Sequence, residues 1–397
     1  MSPPASPLLQ RPRTPRVEAL IARIQAFLEE DLEPLVECHG LDWESGAPHA
    51  LMRGVWARSR ERGLYGMQLP AELGGAGLGV AEQVQIKEWI YACGCPLGPH
   101  ILGELSGPPR VGALVRHATP TQVEQFVKPV LEARMSSCFA LTEEGAGSDA
   151  GAVATRAVRT AGGWRLNGRK RFISGAPFAD LAVVIASTSE DPATRETSAF
   201  FVEATRPGYR VEGGYRTMAG QSHTADIVLE EVEIPEGNLI GERGRGLALA
   251  MGRISVNRLL HCPAMLGLAS LALHHALQHA AKREQFGRPI GAFQAVQHLL
   301  ADMTAELEAA RALMYAVAEA IDRGEDPRAH AAMAKLVCSE TAFRVADRAV
   351  QVHGGTGIVQ GHVVEWLFRM LRMYRVLTGT SEIQRNTIAR EALGARS

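Results

Sequence analysis

The chain contains no run of about 18 apolar residues, the length a bilayer-spanning helix needs, so the reading is of a protein with no membrane span. It also lacks an excess of either charge. Lys and Arg number 42 against 43 Asp and Glu, a formal net charge of -1. That balance removes the electrostatic basis for binding nucleic acid or an anionic membrane surface. Aromatic residues are only 6% of the chain. Cysteines are few: Cys38, Cys93, Cys95, Cys138, Cys262 and Cys338. Cys93-Gly94-Cys95 has no second pair at zinc-site spacing, so these read as free thiols, no metal site is expected, and a reducing, cytoplasmic location is. No internal repeat is visible. The stretch from Met1 to Arg16 is rich in proline, carries Arg11, Arg13 and Arg16 with no acid, and has no apolar core of a secretory signal. It reads as a flexible tail (1–16), with a short transit peptide as the alternative.

What is present is 46% hydrophobic residues over 397 positions, enough for two or three packed units without disulfide staples. Val17, Leu20, Ile24, Phe27 and Leu28 form one helical stripe, and helical patterning continues to about residue 133. It is broken at Leu73–Gly79 and again by the Gly- and Pro-rich segment Pro96–Pro109. The glycines of Leu73–Gly79 are no dinucleotide fingerprint, because no strand precedes them. From residue 134 to 240 short β-type runs take over, among them Ala154–Arg159, Phe172–Ser174, Ala182–Ile185, Ala199–Val202 and Ile227–Leu229. Asn167-Gly168 between two such runs predicts a tight hairpin, since both residues tolerate positive φ. After residue 241 helices return. Leu300, Met303, Leu307, Ala310, Met314, Val317 and Ile321 make the stripe of a bundle helix. A later helix stops at Gly354-Gly355, and Ser381 with Gln384 has capping-box spacing for the last one. The layout is a helical region (17–133), a β unit (134–240) and a four-helix-like bundle (241–397).

Four segments carry candidate chemistry. Leu141–Asp149 offers hydroxyls on a glycine-flexible backbone, suited to approach a flat polar ring; alone it is an ordinary loop. His353–Gly357 follows a helix and alone is a cap. Gly379–Arg385 puts hydroxyls and amides at a helix N-terminus, a natural anion site; alone it too is a cap. Arg283–Gly287 ends a long helix with a cation.

Taken in this order, these segments resemble the acyl-CoA dehydrogenase family of flavoproteins. The resemblance runs from about Val17 to Ala395. It rests on Ala140-Leu-Thr-Glu-Glu-Gly-Ala-Gly-Ser-Asp149, Asn167-Gly-Arg-Lys170, Arg283-Glu-Gln-Phe-Gly287, Gln351-Val-His-Gly-Gly355 and Gly379-Thr-Ser-Glu-Ile-Gln-Arg385. It implies an α+β fold with an N-terminal helical domain, a middle β-barrel or sandwich domain and a C-terminal four-helix bundle. It implies FAD as cofactor, an acyl-CoA substrate, an electron-transferring flavoprotein as electron acceptor, and a homotetramer or dimer. By the same resemblance Phe139, Leu141 and Thr142 line the flavin ring, with Phe172 and Ser174 flanking it where the family more often has Trp and Thr. Arg283, Phe286 and Gln294 reach the adenine and diphosphate end in a neighbouring subunit. Gln351, Gly354 and Gly355 answer from the partner chain, and Thr380 and Glu382 hold the near end. Ser148 and Arg258 match positions that hold the CoA thioester arm.

One position departs. Family chemistry removes an α-proton and a β-hydride from a CoA thioester, and most members carry the proton-accepting Glu immediately before the Gly-Thr of the last motif. Here that residue is Thr378. Another branch places its Glu beside the CoA-binding Arg; here that neighbour is Asn257. A threonine hydroxyl is far too weak a base to replace a carboxylate, and loss of a general base costs about 10²–10⁴ in rate. Three readings follow: a base from elsewhere, with Glu104 as candidate; a reaction that needs no α-proton abstraction; or a non-catalytic subunit paired with a base-carrying homologue. His275 and His279 have i,i+4 spacing but no carboxylate between them, and read as a polar helix face. His261, beside Arg258, is a candidate to face the CoA cavity or simply to pack, and Arg110 is a candidate to contact an acidic acyl group.

Overall fold

The computed structural model describes residues 12–191 and 194–394, and Arg110 by its backbone alone. The first eleven residues of the expected tail and the Arg110 side chain therefore lie outside the described residues. The chain opens with α1 (Pro15–Phe27), α2 (Glu33–His39), α3 (His49–Glu61) and α4 (Val80–Ala92). The short helices α5 (Pro108–Gly112), α6 (Pro120–Gln122) and α7 (Lys128–Leu131) come next. Eight strands follow: β1 (Ser137–Ala140), β2 (Arg156–Thr160), β3 (Gly163–Ser174), β4 (Leu181–Ser187), β5 (Thr197–Glu203), β6 (Tyr209–Tyr215), β7 (Thr224–Pro235) and β8 (Leu239–Ile240). Then come α8 (Gly246–Lys282), a small hairpin of β9 (Glu284–Gln285) and β10 (Arg288–Pro289), α9 (Gln294–Asp322), α10 (Pro327–His353), α11 (Val363–Met373) and α12 (Ser381–Ala392). The result is an α+β fold. Helix α1 begins with Thr14 capping the Val17 N–H, so the helix takes in the last two residues of the expected tail.

Two compact units divide the chain. One holds the stretches up to Ser45, Gly79–Gly98 and Ser255 onward; the other holds Gly46–Leu78 and Pro99–Ile254. The helical N-terminal region is thus shared between them.

In the sheet unit the strand order is β6-β7-β3-β2-β4-β5-β8, with β1 pairing parallel to β4. Ala182, Val184 and Ala186 point into one core with Trp164 and Phe200, while Leu181, Val183 and Ile185 point into another with Phe126 and Phe201. Burial on both faces explains why β4 reads as a continuous apolar run rather than an alternation.

The predicted turn at Asn167-Gly168 is corrected. Those residues lie inside β3, and the β2–β3 reversal falls at residues 161–162. Asn167 instead bridges to β7: its amide nitrogen donates to Glu231 Oε1 (2.6 Å) and its carbonyl accepts from Glu231 N (2.9 Å). Gly168 is needed because a Cβ there would lie 2.4 Å from Thr155 Oγ1. The dipeptide therefore serves a bulge and a close strand approach rather than a hairpin.

In the bundle unit, Leu259, Met265, Leu268 and Ala272 of α8 pack with Met303, Leu307, Ala310 and Met314 of α9 and with Cys338, Ala342 and Val345 of α10. The predicted α9 stripe faces this core. Helix α8 is long and apolar enough to cross a bilayer by length and composition, yet 72% of its most apolar window is buried inside the protein. A buried ionic cluster joins α4 to α9: Arg311 Nε donates to Glu88 Oε1 (2.6 Å), and Tyr315 donates to Glu88 Oε2 (3.1 Å).

Candidate active site

On the sheet unit the Leu141–Asp149 segment leaves the end of β1 and is anchored from beneath. Lys170 Nζ, fully buried, donates to Glu143 Oε1 (2.6 Å) and to the Leu141 carbonyl (3.2 Å). Glu143 also accepts the backbone N–H groups of Ala154 (2.7 Å) and Thr155 (3.0 Å). Burial acts to raise the Glu143 pKa, but the Lys170 ammonium and these donors outweigh it and hold the carboxyl below its usual value. Leu141 is buried against Val183 and Phe201. Phe139 lies under the Arg253 guanidinium, 4.4 Å from its ring centre.

Thr142 is half-buried. Its carbonyl accepts the Arg171 N–H (2.8 Å), and its hydroxyl engages no other described residue. That tie sets Thr142 beside a bulge in β3, where Phe172 adopts φ +58°. Phe172 is 53% exposed, its ring tilted at 50° to that of Tyr215 with the ring centres 4.8 Å apart. Ser174 is exposed one pleat further on. Ser148 is exposed, and Asp149 pairs with Arg195 (2.9 Å). A free hydroxyl next to a presented aromatic face fits a flat heteroaromatic ring with acceptor atoms on its edge. Glu104 lies in the turn after residue 98, half-buried, next to Gly103, where a Cβ would fall 2.4 Å from the Tyr65 ring.

On the bundle unit the remaining residues form two groups. The first surrounds the turn before α12. Thr378 (φ +57°) and Gly379 (φ +90°) form that turn. Lys335 of α10, fully buried, donates to the Gly379 carbonyl (2.9 Å), and so does Gln384 Nε2 (2.9 Å). Arg258 Nη2 lies 3.6 Å from where a Gly379 Cβ would be. Asn257 is half-buried beside it on α8. The cap of α12 is Thr380, whose hydroxyl accepts from Ile383 N (3.4 Å). This corrects the predicted capping box: Ser381 is the first helical residue and donates instead to Glu340 (2.6 Å), while Gln384 turns back to the carbonyls of the turn. Glu382 is exposed. His261 lies one helical turn along α8 from Arg258, its ring 6.5 Å from that of Tyr374.

The second group lies at the other end of the bundle. Arg283 follows the last residue of α8, and β9–β10 closes through Phe286 (φ +51°) and Gly287 (φ +77°), a two-residue turn with both φ positive. Phe286 is 93% exposed. Gln294, exposed, starts α9. Gln351, Gly354 and Gly355 are exposed at the end of α10, where Gly354 takes φ +57°. His279 stacks on His353 at 4.4 Å, which brings the ends of α8 and α10 together. His275 is pushed down to about 4, chiefly by burial, and stays neutral. Among the described residues no cluster of three or more His, Cys, Asp or Glu is placed to hold a metal. Thirteen residues of α10 separate Glu340 from His353, about 20 Å at the helical rise, so one chain does not bring the two groups to one point.

Sequence reasoning missed Lys335, the bond of Gln384 to the Gly379 carbonyl and the Glu143–Lys170 pair. Glu143 stands beside Glu144 and Lys170 between Arg169 and Arg171, so no local pattern marks the pair, and Lys335 sits in an ordinary-looking helix.

Comparison with known proteins covers most of the chain. The family models described as the N-terminal, middle and C-terminal domains of acyl-CoA dehydrogenase match residues 14–134, 138–232 and 244–393. A 3-(aryl)acrylate reductase of Clostridium sporogenes is 35% identical over 92% of this chain and 96% of its own length. The caffeyl-CoA reductase–Etf complex subunit CarC of Acetobacterium woodii is 36% identical over 82% of this chain and 86% of its own. A solved FAD complex of PigA superposes with a TM-score of 0.85 at 25% identity, covering 98% of this chain and all of that one.

Proposed function

We propose, for a chain that belongs to the acyl-CoA dehydrogenase family, the α,β-dehydrogenation of a CoA thioester, with Thr378 standing where the usual proton-accepting carboxylate would be. FAD is the cofactor of this chain, and when bound it supplies the hydride acceptor. The observation that carries the reading is the unengaged Thr142 hydroxyl beside Phe172 on its β-bulge, a donor and an aromatic face offered together. Thr142 would donate to the ring edge, Phe172 would cover it, and Ser174 would bond from the next pleat. The exposed Arg283, Phe286 and Gln294 would serve the adenine and diphosphate end, with Gln351, Gly354 and Gly355 supplied by a second chain in a homo-oligomer. Thr380 and Glu382 would hold the near end, Ser148 and Arg258 the CoA thioester arm, and Asn257 would help to shape the acyl cavity. Glu104 is the proposed proton acceptor. Electrons would leave to an electron-transferring flavoprotein, which the name of the A. woodii relative supports for that protein. All six cysteines are free, which favours a reducing, cytoplasmic setting.

The neutral hydroxyl of Thr378 favours a second reading, in which the chain is a CoA-ester- and FAD-binding subunit of a heteromeric enzyme or runs other flavin chemistry. Purified protein carrying FAD is titrated anaerobically with a panel of acyl-CoA esters. Bleaching of the flavin band supports dehydrogenation. Binding without bleaching by any ester, with a base-carrying homologue co-purifying, replaces it by the second reading.

A further inference from the structure

At one end of the bundle unit three helices meet through histidine rings. His279 of α8 lies face to face with His353 of α10, their ring centres 4.4 Å apart and their planes 29° apart. His353 in turn meets His362, the residue before α11, at 5.2 Å. Hydrogen bonds fix the proton on two of the rings. A carbonyl can only accept, so the 2.7 Å contact of His353 Nδ1 with the Ala349 carbonyl makes Nδ1 the donor and leaves Nε2 as the basic atom. The Val364 N–H donates to His362 Nδ1 (3.3 Å) and so caps α11, which requires a lone pair on that nitrogen. A proton placed there turns the acceptor into a donor and breaks the cap.

The charges that bear on His275, His279 and His353 are His274, His362, Arg283 and one another. The acids of the neighbouring helices are used elsewhere: Glu365 of α11 accepts from Arg369 (2.6 Å), and Glu306 of α9 accepts from Arg348 of α10 (2.9 Å). Lys282, Glu284, Arg288 and Asp347 complete the charges of these segments, and among the described residues none of them bonds to a ring. Burial, ahead of every other cause, lowers the pKa of His275 to about 4 and lowers those of His279 and His353 as well.

We propose that His279, His353 and His362 form an acid-sensitive latch: neutral, they clasp the ends of α8 and α10 to the start of α11, and protonated, they release them. Two imidazolium charges stacked face to face with no carboxylate between them repel. Folded values below the ordinary value of about 6.5 mean that the unfolded chain takes up protons first. The latch therefore contributes fully above about pH 6.5 and is lost as pH falls below it. His279 stands one turn before Arg283, and His353 adjoins Gly354 and Gly355. Release would withdraw residues assigned above to the adenine and diphosphate end of FAD; that consequence rests on the cofactor reading, and the latch does not.

The test is hydrogen–deuterium exchange of the full-length, FAD-loaded wild-type protein at about pH 7.5 and about pH 5.5, with rates corrected for the intrinsic effect of pH. Segments 275–290 and 350–366 are expected to lose about tenfold or more of their protection at the lower pH while the middle of α9 keeps its own. Unchanged protection in the two segments, or a loss shared equally by α9, overturns the proposal, and this needs no variant. His279→Phe with His362→Asn keeps a flat ring in the stack and an acceptor at the cap but removes two protonation sites. Its acid-unfolding midpoint is expected to fall by about one pH unit; a midpoint equal to that of the wild type also overturns the latch. Flavin fluorescence followed over the same range separates the two readings. Flavin released as the segments open supports their service to the cofactor, and flavin retained while they open removes that assignment and leaves the latch standing.

Discussion

Lys170 Nζ lies 2.6 Å from Glu143 Oε1, with the lysine wholly buried and the glutamate nearly so. Twenty-seven residues apart, the two fix the Leu141–Asp149 segment to β3 and so place Thr142 against Phe172. Desolvating two charges is expensive, and here it is offset by two acceptors at Lys170 and three donors at Glu143.

Replacing Glu143 by Gln strands the Lys170 charge. Thermal and denaturant unfolding of Glu143→Gln are expected to show a loss of about 3–5 kcal/mol, while Glu143→Gln with Lys170→Met recovers much of it. Because the folded-state pKa of Glu143 is depressed, its contribution is complete above the ordinary carboxylate pKa and is lost as pH falls through the lower folded value. Wild-type stability therefore declines in that acid window, and the double variant declines less; equal acid sensitivity in the two would contradict the pair's role.

At the turn before α12, Thr378→Glu restores a carboxylate. Its rate of flavin bleaching with straight-chain monocarboxylic esters is expected to rise by about 10²–10⁴ in stopped-flow measurements. No gain would mean the cavity serves other chemistry.

Glu104→Gln addresses the alternative base. If Glu104 takes the α-proton in the native protein, the variant loses turnover by a similar factor of about 10²–10⁴ with ester binding intact. Unchanged turnover removes Glu104 from the mechanism.

Helix packing in the bundle unit makes a sharper structural prediction. A Cβ on Gly267 would lie 2.6 Å from the Glu88 carbonyl and 2.8 Å from Tyr91 Cβ, whereas one on Gly252 would meet nothing within 4 Å. Gly267→Ala is expected to cost about 1–3 kcal/mol through overpacking. Gly252→Ala, on the same helix, is expected to stabilise by up to about 1 kcal/mol. Melting temperatures of the two variants should move in opposite directions.

Periodicity carried far in this chain. The stripes of α1 and α9 face the cores they were read to face, since a 3.6-residue repeat of large apolar side chains has few other ways to be buried. The motifs at Gly354 and Gly379 were visible because turns with positive φ and capping hydroxyls leave local marks. Asn167-Gly168 misled for the converse reason: a local turn signal is blind to β7, which pairs alongside and claims the Asn167 amide. Ser381 was taken for the cap because Thr380 one residue earlier has the same chemistry, and only the Glu340 carboxylate decides between them.

Thr378 holds φ +57°, a backbone state unfavourable for any side chain and most of all for a β-branched one. The penalty belongs to the bend itself, so an unbranched replacement there should fold at least as readily as the native threonine. Acid, amide and alcohol can accordingly be exchanged at this single point with reactivity as the main variable, which makes the bend a natural place to retune the protein from one acyl preference to another.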